Sequence, residues 1–142
     1  MSIEVECLGC KLAHKIEPVH VVYEDEDVCC FLDREPFNEG HTLILPKKHY
    51  FEVEELEMKT ATAIMEASIK ISNAIKKQFE PDGITICQNG GTFNDLNHYH
   101  MHLIPRFKGQ SFYHEEQIDN AKEKDKFLVT KNKLKQQIQS SL

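Results

Sequence analysis

The sequence contains no run approaching the eighteen or more consecutive apolar residues that a membrane-spanning helix needs. It has no excess of positive charge: the net charge is −6 and the pI is near 5.7. No global basic field therefore draws the chain to nucleic acid or to an anionic membrane surface, although a small nucleotide needs only a local site. The opening MSIEVECLGC has acidic residues where a secretion signal needs basic ones, and it has no apolar core segment. An even cysteine framework is missing too. The five cysteines include an adjacent pair, Cys29-Cys30, which fits poorly with a secreted disulfide scaffold. There are no internal repeats, and neither glycine nor proline occurs beyond Phe112. These absences make a soluble, cytoplasmic protein with no membrane or nucleic-acid partner the expectation.

What is present suits one globular domain with a core of its own: 142 residues, 40% hydrophobic and 28% charged. Residues 19–23 and 28–33 read as strands around the acidic turn Glu24-Asp25-Glu26-Asp27. A loop with Pro36 and Gly40 as breakers leads to a third strand at 41–45, stopped by Pro46. Leu56, Ile64, Ala67, Ile71 and Ile75 recur at helical spacing, which predicts an amphipathic helix over about 54–79. Turn chemistry at Pro81-Asp82-Gly83 ends it. A fourth strand at 83–88, a polar loop at 89–97 and a fifth strand closed by Pro105 follow. Residues 114–142 turn to lysine and glutamine with scattered Ile, Phe and Leu, and read either as one or two peripheral helices at a subunit contact or as a solvated tail. The fold expected is α+β: an antiparallel sheet of about five strands, one long helix and a helical C-terminal segment. The domain is expected to span 1–112, with 113–142 as a charged extension.

The fifth strand carries the chemistry. Asn97-His98-Tyr99-His100-Met101-His102-Leu103-Ile104-Pro105 sets three imidazoles at strict alternation. A strand sends them to one face and Tyr99, Met101 and Leu103 to the other. Three readings compete: hydrogen-bonded core histidines, a three-imidazole metal centre that activates water, or a nucleophilic histidine flanked by helpers. Cys29, Cys30 and Cys87 lie in apolar segments and read as buried, inert thiols. Cys7 and Cys10 differ, because Cys-x-x-Cys suits a metal knuckle. Zinc takes four nitrogen or sulfur ligands. Two cysteines and two histidines would close a structural site, and if the strand gives one histidine to it, two remain for catalysis.

His98-Tyr99-His100-Met101-His102-Leu103-Ile104 resembles the His-φ-His-φ-His-φ-φ signature of the histidine triad (HIT) family. Tyr23-Glu24-Asp25-Glu26-Asp27, Cys30-Phe31-Leu32-Asp33 and Gly40-His41-Thr42-Leu43-Ile44-Leu45-Pro46-Lys47-Lys48-His49 are similar in order and spacing to the family's N-terminal half. Cys-x-x-Cys-Lys at 7–11 resembles its zinc-bearing bacterial members. The likeness covers about residues 7–107, roughly three quarters of the chain. It implies a nucleotidyl hydrolase or transferase that cleaves at a nucleoside α-phosphate through a covalent nucleotidyl-histidine. Nucleoside phosphoramidates, adenylyl sulfate and dinucleoside polyphosphates are the implied substrates. Carried over by position, His100 is the nucleophile, and His102 donates to a non-bridging phosphate oxygen. His41 is the fourth active-site histidine, expected beside His100. Asp33 is implied to hold the ribose hydroxyls, though it also suits the start of a turn before Arg34-Glu35-Pro36. Leu8, Phe31 and Leu32 are implied to line a slot for a purine base, and Asn89 to meet the α-phosphate. Cys7, Cys10, His49 and His98 are implied as a closed structural zinc site that pins the N-terminal segment to the catalytic strand. A homodimer is implied as well.

One stretch departs from the family pattern. Where many members have Gly-Gln-Ser/Thr before the triad, this chain has Phe93-Asn94-Asp95. Asn94 takes the place of the glutamine amide as a phosphate donor. Asp95 replaces a hydroxyl with a carboxylate, which repels a phosphate unless it is protonated, paired or turned away. The stretch keeps two functional classes open: an enzyme, or a nucleotide-binding or interaction module of the same fold with little turnover.

Overall fold

Among residues 7–112 and 126–140, which this computed structural model describes, five strands form one antiparallel sheet. They are β1 (Val21–Glu24), β2 (Val28–Leu32), β3 (Thr42–Pro46), β4 (Gly83–Gln88) and β5 (Met101–Arg106), in the spatial order β1-β2-β3-β5-β4. The acidic turn closes the first hairpin, where Asp25 Oδ1 accepts the N–H groups of Asp27 at 2.8 Å and Val28 at 2.9 Å. The pairing of β2 with β3 then runs without a slip from Val28↔Pro46 to Leu32↔Thr42.

Strand alternation gives the sheet two apolar faces. One face carries Val28, Cys30, Leu32, Ile44 and Leu103. It packs on α2 (Met58–Phe79), whose Ile64, Ala67, Ile71 and Ile75 are buried at helical spacing. The other face carries Cys29, Phe31, Leu43 and Leu45 against Leu12 and Ala13 of α1 (Leu8–Ala13). Covered on both sides, β2 and β3 are buried at every residue. Each fully buried aliphatic side chain contributes about 1.5–3 kcal/mol.

The long helix starts later than its apolar spacing predicts. Val53–Glu55 forms a separate 3-10 turn, held by a capping box between Glu52 and Glu55, and Leu56 is extended at φ −65, ψ 135. The proline stops fall at the strand ends: Pro46 is the last residue of β3, while β5 runs one residue past Pro105. At Pro105 the carbonyl accepts from Asn38 Nδ2 at 2.7 Å, on the side facing β3. Pairing with β3 has already ended at Leu103, so the missing proline N–H costs no ladder bond. The ladder of β5 begins only at Met101, which leaves His98 and His100 on the segment leading into the strand.

The C-terminal helix α3 (Phe127–Ser140) belongs to the core rather than to a solvated tail. Leu134 and Ile138 join the cluster beneath α2, and Thr130 Oγ1 donates to Glu39 Oε2 at 2.6 Å. The remainder of the expected 113–142 extension lies outside the described residues. Among those described, no helix is long and apolar enough to cross a membrane.

Candidate active site and metal centre

β2, β3 and β5 bring their chemistry to the face opposite α2. Asp33 follows β2 directly, His41 precedes β3, and His102 pairs across the ladder with Leu43. With Leu8, Leu12, Phe31, Arg34, Glu35, Leu43, Asp95 and Leu96 these residues line a cavity of about 390 Å³. That volume falls within the range of about 300–1,000 Å³ usual for small-molecule sites.

Hydrogen-bond directions fix the imidazole tautomers. The Phe37 N–H donates to His41 Nδ1 at 3.0 Å, so in the neutral ring the proton sits on Nε2. His41 Nε2 lies 3.0 Å from His102 Nδ1 and 3.4 Å from Asp33 Oδ2. His102 Nδ1 therefore accepts, and its Nε2 carries a proton for an external acceptor. Burial pushes His41 down to about 4. Burial, followed by the neighbouring His41 and His100, pushes His102 down to about 4 as well. Both rings are neutral at pH 7. Burial also raises the Asp33 carboxyl. Asp33 divides its oxygens: Oδ1 accepts the Glu35 N–H at 2.9 Å to start the turn, and Oδ2 faces the histidines.

His100 is set the other way round. Its Nδ1 is 2.9 Å from the His98 carbonyl, which can only accept, so the proton is on Nδ1 and Nε2 holds the lone pair. This ring is buried and does not line the cavity; Asp95 does, and its Oδ1 stands 3.3 Å from His100 Nε2.

A second cluster lies behind the triad. Cys7, Cys10, His49 and His98 present donor atoms all within 4.8 Å of one another. The S···N distances are 3.5 Å for Cys7–His98, 3.3 Å for Cys10–His49 and 3.5 Å for Cys10–His98. A tetrahedral zinc with bonds near 2.3 Å to sulfur and 2.0–2.1 Å to nitrogen sets such edges at roughly 3.6 Å. His98 Nε2 donates to the Pro46 carbonyl at 2.7 Å, which leaves Nδ1 unprotonated toward the thiols. Cys7 caps α1 and accepts the Cys10 N–H at 3.2 Å, as a thiolate in a knuckle does. The donor set fits the metal.

Asp33, His41 and His102 also lie close enough to hold an ion, but their protons argue against one. A metal on His41 Nε2 needs the ring proton on Nδ1, and the Phe37 N–H occupies that position. The group is a hydrogen-bond chain. Of the other thiols, Cys29 and Cys30 are buried as expected, and burial drives Cys29 up to about 12 and raises Cys30. Cys87, on the edge strand β4, is only half-buried, though burial raises it as well.

Several expected contacts are placed elsewhere. Leu32 cannot share the base slot with Phe31, because consecutive strand residues face opposite ways. It packs in the α2-side core and borders a different cavity beside His20 and Phe127. Asn94 is buried and spends its amide on the loop: Nδ2 donates to the Phe51 carbonyl at 3.3 Å, and Oδ1 accepts the Leu96 N–H at 3.1 Å. Asn89 is exposed beyond the end of β4 and does not line the cavity. His41 contacts His102 rather than His100. The lining residues that sequence reasoning missed are Leu12, Arg34, Glu35, Leu43 and Leu96; same-face alternation with Phe31 across the β2–β3 ladder pointed to Leu43.

The chain belongs to the histidine triad family: residues 15–109 match the HIT domain model. It is similar to the hit protein of Bacillus subtilis, 41% identical over 115 residues that cover 79% of each chain. An adenylylsulfatase of Arabidopsis thaliana is 35% identical, with 74% of this chain and 54% of that one covered. An adenosine 5'-monophosphoramidase of Saccharomyces cerevisiae is 29% identical, covering 74% and 65%. Among solved structures, a HIT-like protein of Bartonella henselae superposes with a TM-score of 0.79 at 30% identity, over 96% of this chain and 99% of that one. A zinc-bound histidine triad protein of Mycobacterium smegmatis gives 0.79 at 25% identity, over 96% and 95%. The shared architecture is the five-stranded antiparallel α+β fold.

Proposed function

We propose that this chain is a nucleotidyl hydrolase or transferase that cleaves a nucleoside α-phosphate conjugate through a covalent intermediate on His100. The observation that carries the reading is the Nδ1–H of His100 held on the His98 carbonyl, which presents Nε2 as a fixed lone pair. Attack forms the Nε2–P bond. The bond from phosphorus to the leaving atom breaks, and that atom departs with the electron pair and takes up a proton. The His98 carbonyl steadies the cationic nucleotidyl ring. Water then adds to phosphorus and gives up a proton to solvent, the P–Nε2 pair returns to the ring, and a nucleoside monophosphate leaves; another acceptor in place of water makes the reaction a transfer.

His102 supplies its Nε2–H to a non-bridging oxygen, where charge develops. His41 is a positioning residue that holds the His102 tautomer. Asp33 Oδ2 suits a ribose diol, and Leu8, Leu12, Phe31, Leu43 and Leu96 offer an apolar slot for a purine. Relatives named for adenylylsulfatase and phosphoramidase activities support this substrate class.

Cys7, Cys10, His49 and His98 are proposed to hold one structural zinc. The S···N edges and the zinc-bound mycobacterial neighbour support it. A homodimer is supported by the outer edge of β4, unpaired among the described strands, and by the exposed apolar residues Ile86, Met65 and Ile69. Asp95 over the nucleophile favours a second reading, a nucleotide-binding module with little turnover. Brief incubation with adenosine 5'-phosphoramidate, alkaline quenching and peptide mass analysis separates the two. An adenylyl group on the peptide bearing His100 is expected. Binding of nucleoside monophosphate with neither adduct nor turnover of phosphoramidate, adenylyl sulfate or diadenosine polyphosphate would leave only the module.

A further inference from the structure

His100 Nε2 meets the Asp95 carboxylate at 3.3 Å, although Asp95 is 84% exposed and His100 only 1%. A reacting phosphorus must stand at about that distance, 3–3.5 Å, for attack. Asp95 therefore occupies the place of the reacting group and must be displaced by any substrate. Its backbone cannot carry it far. Asn94 ties the loop to Leu96 and to the Phe51 carbonyl. Only the side chain is free to swing, so the displaced carboxylate stays beside the reaction centre. The rest of the lining carries more negative than positive charge, Asp33 and Glu35 against Arg34, whose guanidinium is directed at the Pro18 carbonyl at 2.7 Å.

We propose that Asp95 selects substrates by the charge of the leaving group, favouring nucleoside monophosphates joined to an amine that bears a further positive charge and disfavouring anionic leaving groups such as sulfate or polyphosphate. A cationic leaving group gives the displaced carboxylate an opposite charge to pair with, which the neutral His100 ring, its lone pair on Nε2, does not supply. An anionic one is pushed away by it. This inference rests on the reading of His100 as nucleophile. Charges a few ångström apart near a surface change a rate by about tenfold per interaction, and salt screens the effect.

The test uses three near-isosteric adenosine phosphoramidates with the same scissile P–N bond: those of ethylenediamine (cationic), propylamine (neutral) and glycine (anionic). The wild-type kcat/KM should fall in that order. In Asp95→Asn the cationic-to-anionic ratio should shrink by about tenfold or more, and Asp95→Ser should do the same. Because the comparison is a ratio within one preparation, partial misfolding of a variant does not move it. Molar salt should compress the ratio in wild type but not in Asp95→Asn. A ratio that is equal in wild type and both variants while propylamine release proceeds would overturn the filter alone. Failure of all three proteins to release propylamine would overturn the nucleophile reading and the filter with it.

Discussion

His41 Nε2 lies 3.0 Å from His102 Nδ1, and the Phe37 N–H on the far side of His41 fixes the direction of that bond. Both rings must be neutral for the chain to hold, and burial keeps both near 4. An unfolded histidine titrates near 6.5. Between those values the unfolded chain binds more protons than the folded one, so stability rises with pH across the window. The contribution is fully present above about 6.5 and is lost as pH falls toward 4. For His41, buried as it is, the gap corresponds to about 3 kcal/mol. Urea unfolding of wild type and His41→Gln at pH 7.5, 6 and 5, with zinc content followed in the same samples, is expected to show a clearly shallower loss in the variant. Parallel losses in the two proteins would contradict the neutral chain.

The proposed nucleophile and one proposed zinc ligand lie two residues apart on one segment, His98 facing the thiols and His100 facing Asp95. Removal of each should separate their roles. His100→Gly is expected to abolish turnover while keeping about one zinc per chain, because a closed site loses none of its four ligands. Added imidazole should restore part of the activity by entering the vacated space. Cys7→Ser and His98→Ala should lose metal and stability together, since zinc binding contributes folding free energy directly. Loss of zinc from His100→Gly, measured by metal analysis of the purified variant, would show the triad to be a metal centre instead.

Much of this arrangement was legible in the sequence where one local rule decides. The β4 span, 83–88, follows from its turn and apolar signals, and the triad face follows from alternation. The Cys-x-x-Cys pair reads as half of a nitrogen–sulfur donor set, and His98 joins it with donor atoms within 4.8 Å of one another. Position-by-position likeness worked less well in the loops. It cast Asn94 as a phosphate donor, but a buried amide is consumed by the nearest unpaired backbone groups, here Phe51 and Leu96. It assigned Leu32 and Phe31 one task, which strand geometry divides. The start of α2 was misplaced because the capping box at Glu52 and Glu55 competes with the apolar period. The contact of Asp95 with His100 joins residues whose separation depends on a loop path that carries no periodic signal.

Gly9 offers the sharpest packing prediction. It sits in α1, between the two cysteines, where a glycine interior costs helix stability of about 1 kcal/mol relative to alanine. Propensity alone therefore predicts that Gly9→Ala stabilises. The packing says the reverse: a Cβ there would lie 2.1 Å from His98 Cβ and 2.5 Å from His98 Cγ. His98 cannot give way, since Nε2 is held by the Pro46 carbonyl and Nδ1 points at both thiols. Relief must come from lifting α1 off the sheet, which opens the Cys7–His98 edge. Overpacking of this kind costs about 3 kcal/mol, so the net loss is about 2 kcal/mol, or roughly 5–10 °C in Tm for a chain of this size. The variant should also release zinc to a chromogenic chelator faster than wild type, while Gly83→Ala, with open space around its Cβ, should not. A Gly9→Ala protein as stable as wild type, or more so, would mean that α1 does not rest on His98.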